Sequence, residues 1–265
     1  MSPVGTLLRE WRSRRHLSQL DLANAAEVSA RHVSLIETGK SSPSARMILR
    51  LAEQLDVPLR ARNQLLQAGG FAARFPERPL GDDELSAARG ALGRVLRAHE
   101  PYPAVVLDSR WNVVMANRVI DPFLADVVPE LLGPPINLVR LGLDPRGLAP
   151  HIVNLDEVRS VFRHRITRQL ALAHDHELRA IYDEYLAPGP DEPIVHIESD
   201  IVIPMILRVA GQTLRLFSTV TTFGTPRDIT LAELAVESYY PEDTETEAYF
   251  RNLELPAEAH DGRSP

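Results

Sequence analysis

The sequence predicts two domains: an N-terminal all-α five-helix bundle and a C-terminal α+β domain around an antiparallel sheet. Three observations carry this. In residues 1–70, apolar residues recur at helical spacing between cap residues. From Pro101 onward, short apolar runs edged by turn residues occur on both sides of long helical segments. Charge divides along the same line. Residues 1–80 hold 12 Lys+Arg against 7 Asp+Glu and the remainder 17 against 29, so a basic head precedes an acidic body in a chain of net charge −7.

Residues 4–16 read as the first helix, with Leu7, Leu8 and Trp11 on one face and Arg9, Arg12, Arg14 and Arg15 around it. Ser18 is a good N-cap for the second. Asp21 stands at N3, where a carboxylate suits the helix dipole. Leu22, Ala25 and Ala26 are expected inward. Val28 and Ser29 make a turn holding Glu27 at an expected negative φ. Ser29 caps a third helix with Val33 and Ile36 on its core face. Gly39 stands where a C′ residue takes positive φ. Ser44 caps residues 45–55, with Met47, Ile48, Leu51 and Leu55 inward. Pro58 opens 59–68, which Gly69 and Gly70 end. Residues 18–40 are thus a helix-turn-helix, and its second helix is shaped for the DNA major groove.

Residues 71–83 include AARFPERPLGDD, a linker composition. Residues 84–99 form an amphipathic helix through Leu85, Ala88, Leu92, Val95 and Leu96. It either joins the halves or pairs with its copy in a dimer. Residues 104–107 and 111–115 make a hairpin about Asp108-Ser109-Arg110. Asn117 is expected to cap a helix through Leu124. A Pro/Gly-rich passage (129–150) holds a short helical piece at 138–141. Helices follow at 155–173 and 177–186, then a loop at 187–193. Strands at 201–209 and 213–222 flank a short turn, 230–239 is a third strand and 242–253 a last helix. The expected boundaries are 1–72 for the head, 73–99 for linker and connecting helix, 100–253 for the second domain and 254–265 for a flexible tail.

Cysteine is absent, which removes disulfides, thiol redox sensing and Cys-ligated metals. No apolar run approaches the ~18 residues of a membrane span. The first residues have no apolar core ahead of their charges, so a cytoplasmic location is expected. No phosphate loop, nucleophile elbow or metal motif is present, so the expectation is no enzyme and no certain cofactor. His174-Asp175-His176 superficially suggests a metal site, but its alternation supplies no tetrahedral geometry and no metal is expected.

Ser18-Gln19, Leu22-Ala23, Val28-Ser29, Val33, Ile36-Glu37 and Gly39-Lys40 resemble the lambda-repressor/Cro-type DNA-binding domain of the XRE family. Over residues 3–253 the chain is similar to bacterial regulators with an MmyB-like C-terminal domain. The matching tracts are ERPL (77–80), HEPYPAVVLDSRWNVVMAN (99–117), PHIVNLDEVR (150–159) and TLRLFSTVTTFGTPRDITLAELAVESYYPED (213–243). The resemblance implies a PAS-like sensor fold with an apolar pocket for a fatty acid or another hydrophobic ligand. It also implies a structural ion pair between Glu37 and Arg12.

Gln19 opens the second helix, where its amide reaches a DNA phosphate. Ser29 starts the third, on which Ala30, Arg31, His32, Ser34 and Leu35 face away from the core stripe. Arg31 is a bidentate guanine reader, worth ~1–3 kcal/mol of discrimination, or a phosphate clamp. Lys40 and Ser42 follow and line a phosphate. In the second domain Trp111, Met115, Phe123, Phe162, Ile166, Tyr182, Met205, Leu207, Phe217 and Phe223 line a pocket or form ordinary core. The expected partners are double-stranded DNA, a second copy of the chain in a homodimer on a two-fold operator, and a hydrophobic effector, with no membrane. The alternative is a ligand-free C-terminal dimerisation or docking module.

Overall fold

A computed structural model describes residues 3–172, 175–189 and 204–254, in two compact units. The first unit is the chain up to Pro79 together with Phe223–Ala232. Its helices are α1 (Pro3–Arg14), α2 (Gln19–Ala25), α3 (Ala30–Glu37), α4 (Ala45–Gln54) and α5 (Leu59–Ala68). Ser18, Ser29 and Ser44 each accept a bond from the N3 backbone N–H of the helix they cap, and the Asp21 carboxylate in turn accepts one from the Ser18 N–H at 2.9 Å. Leu8, Leu22, Val33, Ile36, Ile48, Leu51 and Leu65 meet in one core. Gly5 lets α1 approach α3, since a Cβ there would strike the Ile36 and Glu37 carbonyls.

Both ends of the α2–α3 pair close in the same way. The Gly39 N–H bonds to Ile36 O and the Lys40 N–H to Leu35 O, with Gly39 at φ 73°. The Glu27 N–H bonds to Asn24 O and the Val28 N–H to Ala23 O, which places Glu27 at the equivalent C′ position with φ 49°. The expected negative φ at Glu27 is therefore corrected, because this motif demands a left-handed residue. Ala25 is exposed, and the buried stripe of α2 runs through Leu22, Ala23 and Ala26. Asn63 ties α5 to the backbone at Arg74 and Phe75. Arg78 pairs with Asp228 at 3.0 Å.

The second unit runs from Leu80 to Thr222 and resumes at Glu233. It holds α6 (Ser86–Ala98), β1 (Ala104–Leu107), β2 (Val113–Ala116), α7 (Leu138–Leu143), α8 (Leu155–Leu172), α9 (His176–Tyr185), β3 (Met205–Val209), β4 (Gln212–Thr222), β5 (Ala235–Pro241) and α11 (Thr244–Arg251). A short helix, α10 (Ile229–Glu233), precedes β5. The strands form one antiparallel sheet in the order β2-β1-β5-β4-β3. Registers Val105↔Glu237, Ser218↔Tyr239 and Leu207↔Leu214 put these six residues on one face. Arg165 of α8 reaches Glu237 on that face at 3.1 Å. The opposite face carries Val106 and Tyr240, and α6 lies there, with the His99 ring 4.8 Å from that of Tyr240.

Four sequence expectations change here. Residues 230–239 are not one strand: Asp228 accepts bonds from the Thr230 and Ala232 N–H groups and starts α10, so the strand begins at Ala235. Trp111 and Asn112 precede β2, because the Asp108 carboxylate gathers the Arg110 and Asn112 N–H groups and turns the chain, leaving Trp111 at φ 68°. Asn117 stands at the N-cap of the next helix, as expected, but its side chain makes no capping bond. Its side chain accepts from Ala104 N–H and donates to the Leu96 and Tyr102 carbonyls, and the helix that does run through Leu124, Arg118–Leu124 with Pro122 inside, is a 3₁₀ helix. Val95 is exposed while Leu92 and Leu96 are buried. Ala173, His174, the expected strand start at 201–203 and the tail from 255 lie outside the described residues.

Candidate nucleic-acid interface and internal cavity

Arg12 and Glu37 are brought together first. The guanidinium donates from Nε to Oε1 at 2.7 Å and from Nη2 to Oε2 at 2.9 Å. Its third bond goes to the Leu17 carbonyl at 2.7 Å, which fixes the α1–α2 connection to the end of α3. Gln19 joins this network: its amide donates to Glu37 Oε2 at 2.7 Å. One N–H of the Gln19 amide is thus spent inside the unit rather than offered to a phosphate.

The Val33/Ile36 stripe of α3 is buried, and the other sides of the helix carry the expected readers. Arg31 is exposed, and Ala30, His32, Ser34 and Leu35 are half-buried. Ser29 is exposed, and its hydroxyl accepts from the His32 N–H at 3.2 Å. Lys40 and Ser42 are exposed on the segment following α3. The N-terminal first turns of α2 and α3, Arg31 in the first turn of α3 and Lys40 just beyond its C-terminal end suit an anion as elongated as a nucleic-acid backbone.

The second unit holds a partly open cavity of about 870 Å³. Met115, Phe123, Phe162, Met205 and Leu207, all anticipated, line it. Trp111 lies behind Phe162, ring centroids 5.3 Å apart, with Arg165 4.3 Å over its ring and its indole N–H on Gln169. Ile166 and Tyr182 sit in the core beneath α8 and α9. Phe217 stacks on Tyr240 on the other sheet face, and Phe223 belongs to the first unit. Arg163 bonds the Leu186 carbonyl, while His164 and Arg168 are exposed.

Sequence reasoning missed Val105, Leu216, Asp121, Arg89 and Tyr239, all on the cavity wall. Alternation along β1 and β4 was the available signal for the first two. The wall runs round the edge strand, since Val113, Val114, Met115 and Ala116 all line it. Arg89 is on α6 and bonds the Leu80 carbonyl at 2.8 Å. Partial desolvation pushes the Asp121 carboxyl above its ordinary value. Asp175 caps α9 and receives Arg110 at 2.8 Å. Among the described residues, no group of three or more His, Asp or Glu side chains is placed to hold a metal ion. Among them, too, no helix is long and apolar enough to cross a membrane.

Comparison with known proteins fits this geometry. Residues 88–253 match the family model of the MmyB-like transcription regulator ligand binding domain, and residues 8–61 match a helix-turn-helix model. The chain is 40% identical over 78 residues to the HTH-type transcriptional regulator RghRB of Bacillus subtilis, covering 29% of this chain and 54% of that protein. It thus spans about half the length of that relative. It is 29% identical over 72 residues to the ImmF control region 10 kDa protein of Bacillus phage phi105, covering 26% of this chain and 80% of that protein. A solved structure, the clp gene regulator ClgR from Corynebacterium glutamicum, is 24% identical with a TM-score of 0.23, over 38% of this chain and 93% of its own.

Proposed function

The chain belongs to the MmyB-like transcription regulators with a ligand-binding domain, and on that premise we propose that it is a homodimeric, effector-controlled reader of a two-fold DNA operator. One head contacts only a short half-site, so two heads gain both affinity and specificity. In this reading α3 enters the major groove, Arg31 reads guanine, and Lys40, Ser42 and the remaining Gln19 N–H hold phosphates. A fatty-acid-like or other hydrophobic molecule occupies the cavity and shifts the protein between DNA-competent and incompetent states through its different affinity for each. The antiparallel sheet with helices on both faces supports the PAS-like reading of this domain. DNA as the partner fits the cytoplasmic location expected from the sequence.

The observation that carries the proposal is the apolar cavity of about 870 Å³ inside the ligand-binding domain. The test selects bound sequences from random duplexes with the full chain, then measures affinity for the selected site with and without methyl dodecanoate, a neutral fatty-acid ester. An inverted repeat bound by two copies, with affinity altered by the ester, is expected. A single half-site bound by one copy removes the dimer, and an affinity indifferent to the demonstrably bound ester removes the effector. Arg31→Ala should cost ~1–3 kcal/mol at one or two guanine positions. A uniform loss over all sequences assigns Arg31 to phosphate instead.

A further inference from the structure

Tyr239 is a wall residue whose hydroxyl has work left to do. It lies on the α8 face of the sheet, between the register partners of β1 and β4. Protein encloses it so completely that burial pushes its phenol well above the ordinary value, yet the residue keeps some accessible surface and lines the cavity. Its backbone is fully used, by the Pro103 carbonyl and the His99 ring. Its hydroxyl has no partner among the described residues, while no side-chain N or O atom sealed from solvent there is left unpaired. The hydroxyl is therefore open to the cavity.

The surroundings decide what it would take. Glu237, two residues along the same face, is already matched by Arg165 and by the Ser218 hydroxyl at 2.8 Å. Among the described wall residues, none on this side is a cation. Asp121 adds a carboxylate to the wall. Arg89, the cation on the wall, stands on α6 and so on the opposite side of the sheet. The geometry points to Tyr239 as a hydrogen-bond donor that fixes an uncharged acceptor, a ketone, ester or ether oxygen, on an otherwise apolar ligand. This rests on the cavity being a ligand site, and refines it from any hydrophobic molecule to a neutral one bearing an oxygen acceptor. An un-ionised phenol offers its O–H to that oxygen. A carboxylate placed there would leave water with no cation of the described wall on that side to receive it, since Arg165 is already paired with Glu237.

Equilibrium dialysis of the full chain against three rigid probes of one shape tests this: 2-acetylnaphthalene, 2-ethylnaphthalene and 2-naphthoate. Wild type should bind the ketone roughly tenfold more tightly than the hydrocarbon, and the naphthoate least. Tyr239→Phe should erase the ketone's advantage and leave the hydrocarbon unchanged. The variant should also melt at the wild-type temperature without ligand, since the hydroxyl has no protein bond to lose. An unchanged ketone preference in the variant, a naphthoate that binds best, or a melting point several degrees lower overturns the assignment while leaving the cavity as a ligand site. Failure of all three probes to bind wild type overturns the ligand site itself and this inference with it.

Discussion

A carboxylate as enclosed as Glu37, 2% exposed, stays charged because of its neighbours. Burial pushes it up, but the bonds from Arg12 and Gln19 and the charges of Arg12 and Arg9 outweigh burial and hold it below the ordinary glutamate value. A carboxyl lowered in the folded state contributes stability that is fully present above its unfolded pKa and lost as pH falls through the folded one. The first unit should therefore weaken as pH drops below ~4.3. Glu37→Gln should flatten that acid limb and cost about 2–3 kcal/mol at neutral pH, because Arg12 loses its counter-charge and meets an NH2 in place of one of its two acceptor oxygens. Urea unfolding across pH checks both, and an acid limb retained in the variant would assign the effect elsewhere. Glu27 argues the other way. It holds a left-handed backbone that glycine adopts freely, and its ion pair with Arg50 is exposed. Glu27→Gly should stabilise the unit by about 0.5–1 kcal/mol, read as a higher urea midpoint.

At the scale of elements, α7 and α9 are joined end to end by Asp144. Its carboxylate takes both backbone and side-chain bonds from Arg146, plus the Tyr185 hydroxyl at 3.1 Å. The Arg146 bonds hold Asp144 down at about 2. Burial first, and then Asp144, push Tyr185 up to about 12. The linkage has the same sign as for Glu37, so this joint holds above the ordinary aspartate value of ~3.9 and fails as pH falls toward about 2. In Asp144→Asn the second unit should lose its stability change in that window, followed by circular dichroism during acid titration. How legible the elements were depends on how far their causes reach. Ser18, Ser29, Ser44 and Gly39 act within four residues of themselves, so α2, α3 and α4 could be placed from sequence. The cavity wall could not. Trp111 and Phe162 are both large and apolar and touch each other, yet only Phe162 reaches the space. The Asp108 turn and the β1–β5 register decide that, and hydrophobic spacing records neither. Tyr239 fell inside the expected strand at 230–239, but its face depends on how β5, whose start α10 delays, pairs with β4.

Across the whole molecule, the two units have cores that share no residue. Helix packing about Leu22 and Ile36 makes one, and sheet-on-helix packing about Val105, Ile166 and Leu207 makes the other. Two such cores unfold as separate cooperative blocks unless something couples them. Scanning calorimetry should show two transitions, of which Glu37→Gln lowers only one. A single transition that shifts as a whole would mean the units melt together.

The two tryptophans divide between these cores, Trp11 in the first and Trp111 in the second. Each unit therefore carries its own intrinsic fluorophore, and Trp11→Phe leaves a chain whose ultraviolet emission comes from the second alone. That emission originates one ring from the cavity wall, with a guanidinium over the indole and Phe162 at its edge. A guest displacing Phe162 would announce itself as a change in colour or brightness, with no dye and no DNA in the cuvette.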